Sequence, residues 1–169
     1  MKIRLAKNGD EASIAKVHVD SWKTTYREIV DDSYLESLSY ENRQKMWETA
    51  IKAGYEKGCL FVAEVDGDIV GFASAGPERT KRYEVDGEVY AIYILQNYQK
   101  KGIGKVLFSK VREFLIEKGN KSMLVWVLAE NPSRAFYLSL HPEEIDTEQI
   151  QIGDQSYEEI AYAWKFFGE

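Results

Sequence analysis

Between Glu88 and Lys118 the chain reads EVYAIYILQNYQKKGIGKVLFSKVREFLIEK. An almost wholly apolar strand runs into a glycine-bearing loop that opens an amphipathic helix. That arrangement can bind an anion. The first N–H groups of a helix have no intrahelical partner and lie at the positive end of its dipole, so a loop that brings a ligand there can hold phosphate. Gly102 and Gly104 permit positive φ and a close backbone approach to a diphosphate, while Lys100, Lys101 and Lys105 add positive charge. On GxG alone, an ordinary turn with solvated lysines is the plainer and more frequent explanation of the loop. Two nucleotide loops are excluded. A Walker loop needs four residues between its glycines and Ser or Thr after the lysine, but Val106 follows Lys105; a dinucleotide GxGxxG would need glycine where Leu107 stands.

Gln99, Gly102 and Gly104 fill the pattern [QR]xxGx[GA], and at this point the chain resembles the GNAT superfamily of N-acetyltransferases, in which that loop holds the acetyl-CoA pyrophosphate. Downstream, the apolar run Met123 to Ala129 leads into Glu130-Asn131-Pro132-Ser133-Arg134-Ala135-Phe136-Tyr137, which resembles the family's Asn-to-Phe-Tyr helix. The likeness extends over most of the chain from the strand at Ile3. It weakens after Tyr137, where the family commonly continues LGF or LGG and this chain has Leu140-His141-Pro142.

The resemblance implies an α/β fold of the mixed α+β kind: a GNAT-like central mixed β-sheet of about seven strands, splayed between strands 4 and 5, with helices on both faces. It implies that the pantetheine arm of acetyl-CoA lies in the splay beside the main chain of Ile92, Tyr93 and Ile94. The pyrophosphate then meets Gln99, Lys100, Lys101, Gly102, Ile103, Gly104 and Lys105, and Asn131 adds a side-chain contact. Asn131 would equally serve only as a helix cap. The implied reaction is direct acyl transfer in a ternary complex. A neutral amine attacks the thioester, an oxyanion forms, and the CoA thiolate leaves and takes a proton. Glu88, eleven residues before Gln99, is the implied base, against the plainer reading of a solvated carboxylate at a strand start. A backbone N–H near Ile94 at a bulge would hold the oxyanion. Tyr137 is the implied acid, against a core aromatic beside Phe136.

Outside these motifs, His18, Trp22 and Tyr26 recur at i, i+4 and i+8 on one helical face. Such a stripe is either core or, as the resemblance implies for this region, a wall of the acceptor pocket that meets an amine by cation–π contact. His141 before proline reads as a surface helix end, and Cys59 as a buried thiol. Two histidines and one cysteine offer no metal cluster, so no metal is expected.

These residues need elements to position them. Lys2 to Ala6 reads as a strand, and Asp10 as the cap of a helix reaching Thr25; helices follow over Asp32–Leu38 and Ser39–Ala53, the latter stopped by Gly54. Cys59–Val65 and Ile69–Ala75 form a hairpin turned by Asp66-Gly67. A polar connection, Gly76–Gly87, leads to the strand Glu88–Leu95. The stripe Ile103, Val106, Leu107, Val111, Phe114, Leu115 predicts a helix to Lys118, and the unalternating strand after it predicts a parallel pairing. Asn131-Pro132 should open the Phe-Tyr helix. Gln149–Ile152 and Ser156–Phe166 should close the sheet as a hairpin.

With 169 residues, 44% of them hydrophobic and 30% charged, one domain over residues 1–169 is expected. The net charge of −6 argues against nucleic acid and mildly favours a cationic substrate. Neither a run of about 18 apolar residues nor an apolar leader is present, so a cytoplasmic protein without a membrane partner is expected. The expected activity is transfer of acetyl from acetyl-CoA, as cosubstrate, to a small-molecule amine such as a polyamine, an amino acid or an antibiotic-like amine. Protein N-terminal or lysine acetylation and a noncatalytic CoA-binding module are the alternatives, and a homodimer is compatible with either.

Overall fold

In the computed structural model, residues 1–166 are described. Seven strands form one sheet in the order β1-β2-β3-β4-β5-β7-β6. The strands are β1 (Lys2–Leu5), β2 (Cys59–Val65), β3 (Asp68–Pro77), β4 (Gly87–Ile94), β5 (Ser122–Leu128), β6 (Glu143–Ile152) and β7 (Gln155–Lys165). All neighbours are antiparallel except β4 and β5. That pair is parallel because the helix α4 (Ile103–Glu117) carries the chain back across the sheet between them.

The parallel pairing is short. Gly87, Glu88 and Val89 oppose Met123, Leu124 and Val125, and there it stops, although β4 continues to Ile94 and β5 to Leu128. The register against β3 explains where it stops. Ser74 opposes Ala91 but Ala75 opposes Val89, so Tyr90 is an extra residue in β4, and such a bulge bends its strand. The strands part at Tyr90.

Helices cover both faces. Ile103, Leu107, Phe108, Val111 and Leu115 of α4 are buried against Val89, Met123, Val125, Val127 and Ile160. At roughly 1.5–3 kcal/mol per buried side chain, this stripe anchors the loop that precedes it. On the other face α1 (Glu11–Thr25) and α3 (Tyr40–Ala53) place Ile14, Val17 and Trp47 on Leu60, Val62 and Phe72. A third cluster, Tyr26, Val30, Leu35, Leu128 and Ile152, lies where α1 leads into α2 (Asp32–Ser37).

Several expected boundaries move. Asp10 precedes α1 but does not cap it with its side chain; its carboxylate instead takes both Arg4 amino groups, at 2.7 and 3.1 Å, and the Lys7 N–H. The Phe-Tyr helix, α5, spans only Arg134–Leu138. Asn131 closes the turn ahead of it, its Oδ1 accepting the Ser133 N–H at 2.7 Å. β6 begins at Glu143, well before the expected Gln149, because it is a largely exposed edge strand whose Glu, Asp and Thr residues give no apolar alternation. The last three residues of the expected domain lie outside the described residues.

Candidate active site

The chain leaves β4 through a 3-10 turn at Gln96–Tyr98 and enters α4 at Gly102. Gly102 has φ +86°, which a side chain would strain, whereas Gly104 is helical and Lys100 takes the loop's other positive φ, +59°. The expectation that both glycines serve positive φ is therefore half met. At Gly104 space is the constraint, since a Cβ would lie 3.3 Å from Ile94 Cδ1. The Val106 N–H donates to the Gly102 carbonyl at 3.2 Å, so the amides ahead of it open the helix without intrahelical partners.

Gln99 ties this loop to the strand it came from. Its Nε2 donates to the Ile94 carbonyl at 3.0 Å. Leu95 N–H, in contrast, donates to Val70 of β3 at 2.9 Å. Main-chain groups of an antiparallel strand alternate sides, so Ala91 and Tyr93 bond toward β3 while the N–H and C=O of Ile92 and Ile94 point into the gap left by β5. That gap is a cavity of about 680 Å³, lined by Tyr90 to Ile94 on one side, Val125 to Val127 on the other, and the loop and α5 at its end.

Tyr137 lines this cavity, only 6% exposed. Burial, with Tyr93 nearby, pushes its phenol well above the usual tyrosine value, so it stays protonated. Its hydroxyl makes no hydrogen bond among the described residues. Asn131 and Tyr26 also line the cavity, joined by a bond from Asn131 Nδ2 to the Tyr26 oxygen at 3.0 Å. Of the expected phosphate contacts, Gln99, Lys100, Gly102, Gly104 and Lys105 reach the cavity. Lys101 does not line it, its ammonium lying 5.5 Å from the Tyr98 ring centroid, and the Ile103 side chain is in the core.

Glu88 lies off the cavity lining and is 2% exposed, so it is not the solvated carboxylate of the plainer reading. Arg79 holds it: Nη2 and Nε donate to Oε2 at 2.6 and 3.2 Å, and the Arg79 N–H donates to Oε1 at 3.1 Å. Nothing in the sequence marked Arg79, which sits in a polar loop among other charges. His18 faces a second hollow, of about 450 Å³, on the α3 side of β4. It accepts a 3.1 Å bond from Trp47 Nε1 and stacks on Tyr93, and burial drives it down to about 3. Trp22 packs against Tyr26, Tyr34 and Tyr93 and lines neither hollow. The expected aromatic wall is thus divided, with Tyr26 alone at the main cavity.

The sequence profile of the Acetyltransferase (GNAT) family matches residues 19–141. The chain belongs to that family. An uncharacterized N-acetyltransferase of Bacillus subtilis (strain 168), YuaI, is 41% identical over 162 residues, which cover 96% of this chain and 91% of that one. The L-amino acid N-acyltransferase MnaT of Escherichia coli (strain K12) is 28% identical over 134 residues, 78% of this chain and 72% of the other. Among solved structures, the PaiA N-acetyltransferase of Thermoplasma acidophilum, in complex with coenzyme A, superposes with a TM-score of 0.81 at 22% identity, covering 98% of both chains. The seven-stranded sheet parted between β4 and β5 is accordingly the GNAT fold, and the cavity is the acetyltransferase's parted-strand cleft.

Proposed function

We propose that this acetyltransferase moves the acetyl group of acetyl-CoA to a primary amine of a small molecule, by direct attack while both substrates are bound. The observation that carries this reading is the gap itself. Main-chain donors and acceptors at Ile92 and Ile94 face a cavity whose far end is the opening of α4, which suits an extended arm ending in a diphosphate. Acetyl-CoA would supply a thioester activated for attack. Gln99, Lys100 and the amides at Gly102 to Lys105 would hold its phosphates.

Ile94 N–H is the donor we assign to the developing oxyanion. As the amine nitrogen bonds to the carbonyl carbon and the carbon–sulfur bond breaks, Tyr137 gives its phenolic proton to the departing sulfur. Glu88 would accept the amine proton through water, with Arg79 fixing its orientation. The acceptor enters from the face bearing α1 and Tyr26. The resemblance of the wider chain to an enzyme named for L-amino acids supports a small acceptor. Release of CoA thiol from acetyl-CoA across a panel of amines tests the reading directly. Turnover on at least one small amine, lost in Tyr137→Phe, is expected; CoA binding without turnover on any small amine or on peptides would leave a binding module instead.

A further inference from the structure

The face of the sheet from which an acceptor must approach carries an arch, the segment between β3 and β4. Three tips of that arch are committed. Arg79 pairs with Glu88, Arg82 with Glu148, and the Tyr83 hydroxyl donates to Asp146. Tyr83 also packs 6.2 Å from the Trp126 ring, so the arch spans from β4 across β5 to β6. The sheet register places the floor beneath it. Trp126 of β5 opposes Ala161 of β7, which opposes Asp146 of β6; in the next row lie Leu128, Glu159 and Glu148. Residues in one row share a face.

Glu159 is the exception on this floor. It is half-buried, and its carboxylate makes no hydrogen bond or ion pair among the described residues. Its neighbour Leu128 belongs to the cluster of Tyr26 and Val30, so Glu159 stands between that cluster and the Arg82–Glu148 pair. It lies one strand over and two residues along from Trp126, which lines the cavity where the strands part; at about 3.4 Å per residue that is about 7 Å along the strand. Burial raises its carboxyl above the usual value, and Glu148 and Glu88 add to the rise against Arg79. These neighbours leave a local surplus of negative charge that a cation would relieve.

The geometry points to Glu159 as the residue that selects the acceptor, by taking a second positive charge carried by the substrate several ångströms from the amine being acetylated. The substrate class is a diamine or polyamine rather than an amino acid, whose carboxylate would face Glu159 and Glu148. This rests on the acetyl-transfer reading for the position of the reacting amine, but not for the binding of the cation. The two arginines of the arch are already occupied, Arg79 by three bonds to Glu88 and Arg82 by its pair with Glu148, which keeps both from serving a carboxylate.

The test compares 1,4-diaminobutane, butylamine and leucine on the native protein, Glu159→Gln and Glu159→Asp, with calorimetric binding of the diamine to CoA-saturated protein beside the kinetics. The native protein should favour the diamine over butylamine by about tenfold in kcat/KM, equivalent to about 1.4 kcal/mol. Glu159→Gln should erase that preference by raising KM for the diamine about tenfold, leaving kcat and all butylamine constants within about twofold; Glu159→Asp should restore part of it. Loss of kcat on both amines would instead make Glu159 part of proton transfer and overturn the assignment. So would a native preference for leucine, or diamine binding equal in native and Glu159→Gln protein. If no amine is turned over yet diamine binding still depends on Glu159, the acetyl-transfer reading fails and the cation site stands.

Discussion

Asn131 donates from Nδ2 to the Tyr26 hydroxyl oxygen at 3.0 Å, and this one bond joins the end of α1 to the turn before α5 across 105 residues of sequence. Both side chains are buried and both line the cavity, so the bond sets how far apart two of its walls stand. Asn131→Ala removes it together with the Ser133 bond and should cost about 2 kcal/mol, whereas Tyr26→Phe, which removes one, should cost about 1 kcal/mol. Urea unfolding measures both, and equal losses would mean the cross-cavity bond carries all of the effect.

Tyr137→Phe should leave the fold and CoA affinity unchanged while lowering kcat about 100-fold, because the ring's packing on Phe136 and Trp164 survives and only the proton is lost. Since burial holds the phenol above its usual value, it is already the protonated species at neutral pH, and no basic limb from Tyr137 should appear below pH 10. A kcat within threefold of native would remove Tyr137 from the role of acid.

Glu88→Gln should lower kcat about 100-fold, because Glu88 is the group proposed to take the amine proton. Arg79→Ala should be the more damaging to stability, by about 2 kcal/mol, because it leaves a 2%-exposed carboxylate without its partner. A kcat within threefold of native in Glu88→Gln would falsify the base assignment and leave the pair a structural clamp.

The two loop glycines should respond differently. Gly102→Ala meets open space but keeps φ +86°, so it should lose about 1 kcal/mol of stability through the backbone alone. Gly104→Ala is helical and should not lose stability, but its methyl would intrude between Ile94 and the ligand and should weaken CoA binding about tenfold. Thermal unfolding and CoA titration, run on the same two variants, separate strain from obstruction.

His18 supplies a pH-dependent stability. Its folded pKa, driven down to about 3 chiefly by burial and secondarily by Arg43, lies below the unfolded value of about 6.5. Between those values the unfolded chain binds the extra proton. The contribution is therefore full above pH 6.5 and is lost as pH falls toward 3, by up to about 1.4 kcal/mol per pH unit. His18→Asn keeps an acceptor for Trp47 without the titration, so between pH 7 and pH 5 it should lose about 2 kcal/mol less than the native protein. Parallel losses would exclude His18 as the source.

The elements of the strand–loop–helix unit were readable because their signals are local. Gln99, Gly102 and the apolar stripe of α4 lie within one stretch of chain, and periodicity marks the helix wherever the rest of the molecule falls. The Asp66-Gly67 turn was readable for the same reason. What escaped the sequence depends on partners far away in the chain. Asp10 resembles a helix cap until Arg4 claims its carboxylate, and Glu88 resembles an open base until Arg79 folds over it. The floor proposed for the acceptor is made of such cases. β6 has no apolar rhythm because one edge and much of both faces meet water, and the significance of Glu159 appears only when β7 is laid beside β5.

The bulge at Tyr90 separates two kinds of specificity in one molecule. Where the strands part, the slot is opened by the backbone register of β4 rather than by any one side chain. The rim on the α1 side is shaped by side chains drawn from α1, the arch and β7, none of which takes part in the bulge. A lineage could therefore replace one acceptor with another by editing a few surface positions, while the half of the reaction common to every acceptor is inherited with the shape of the sheet.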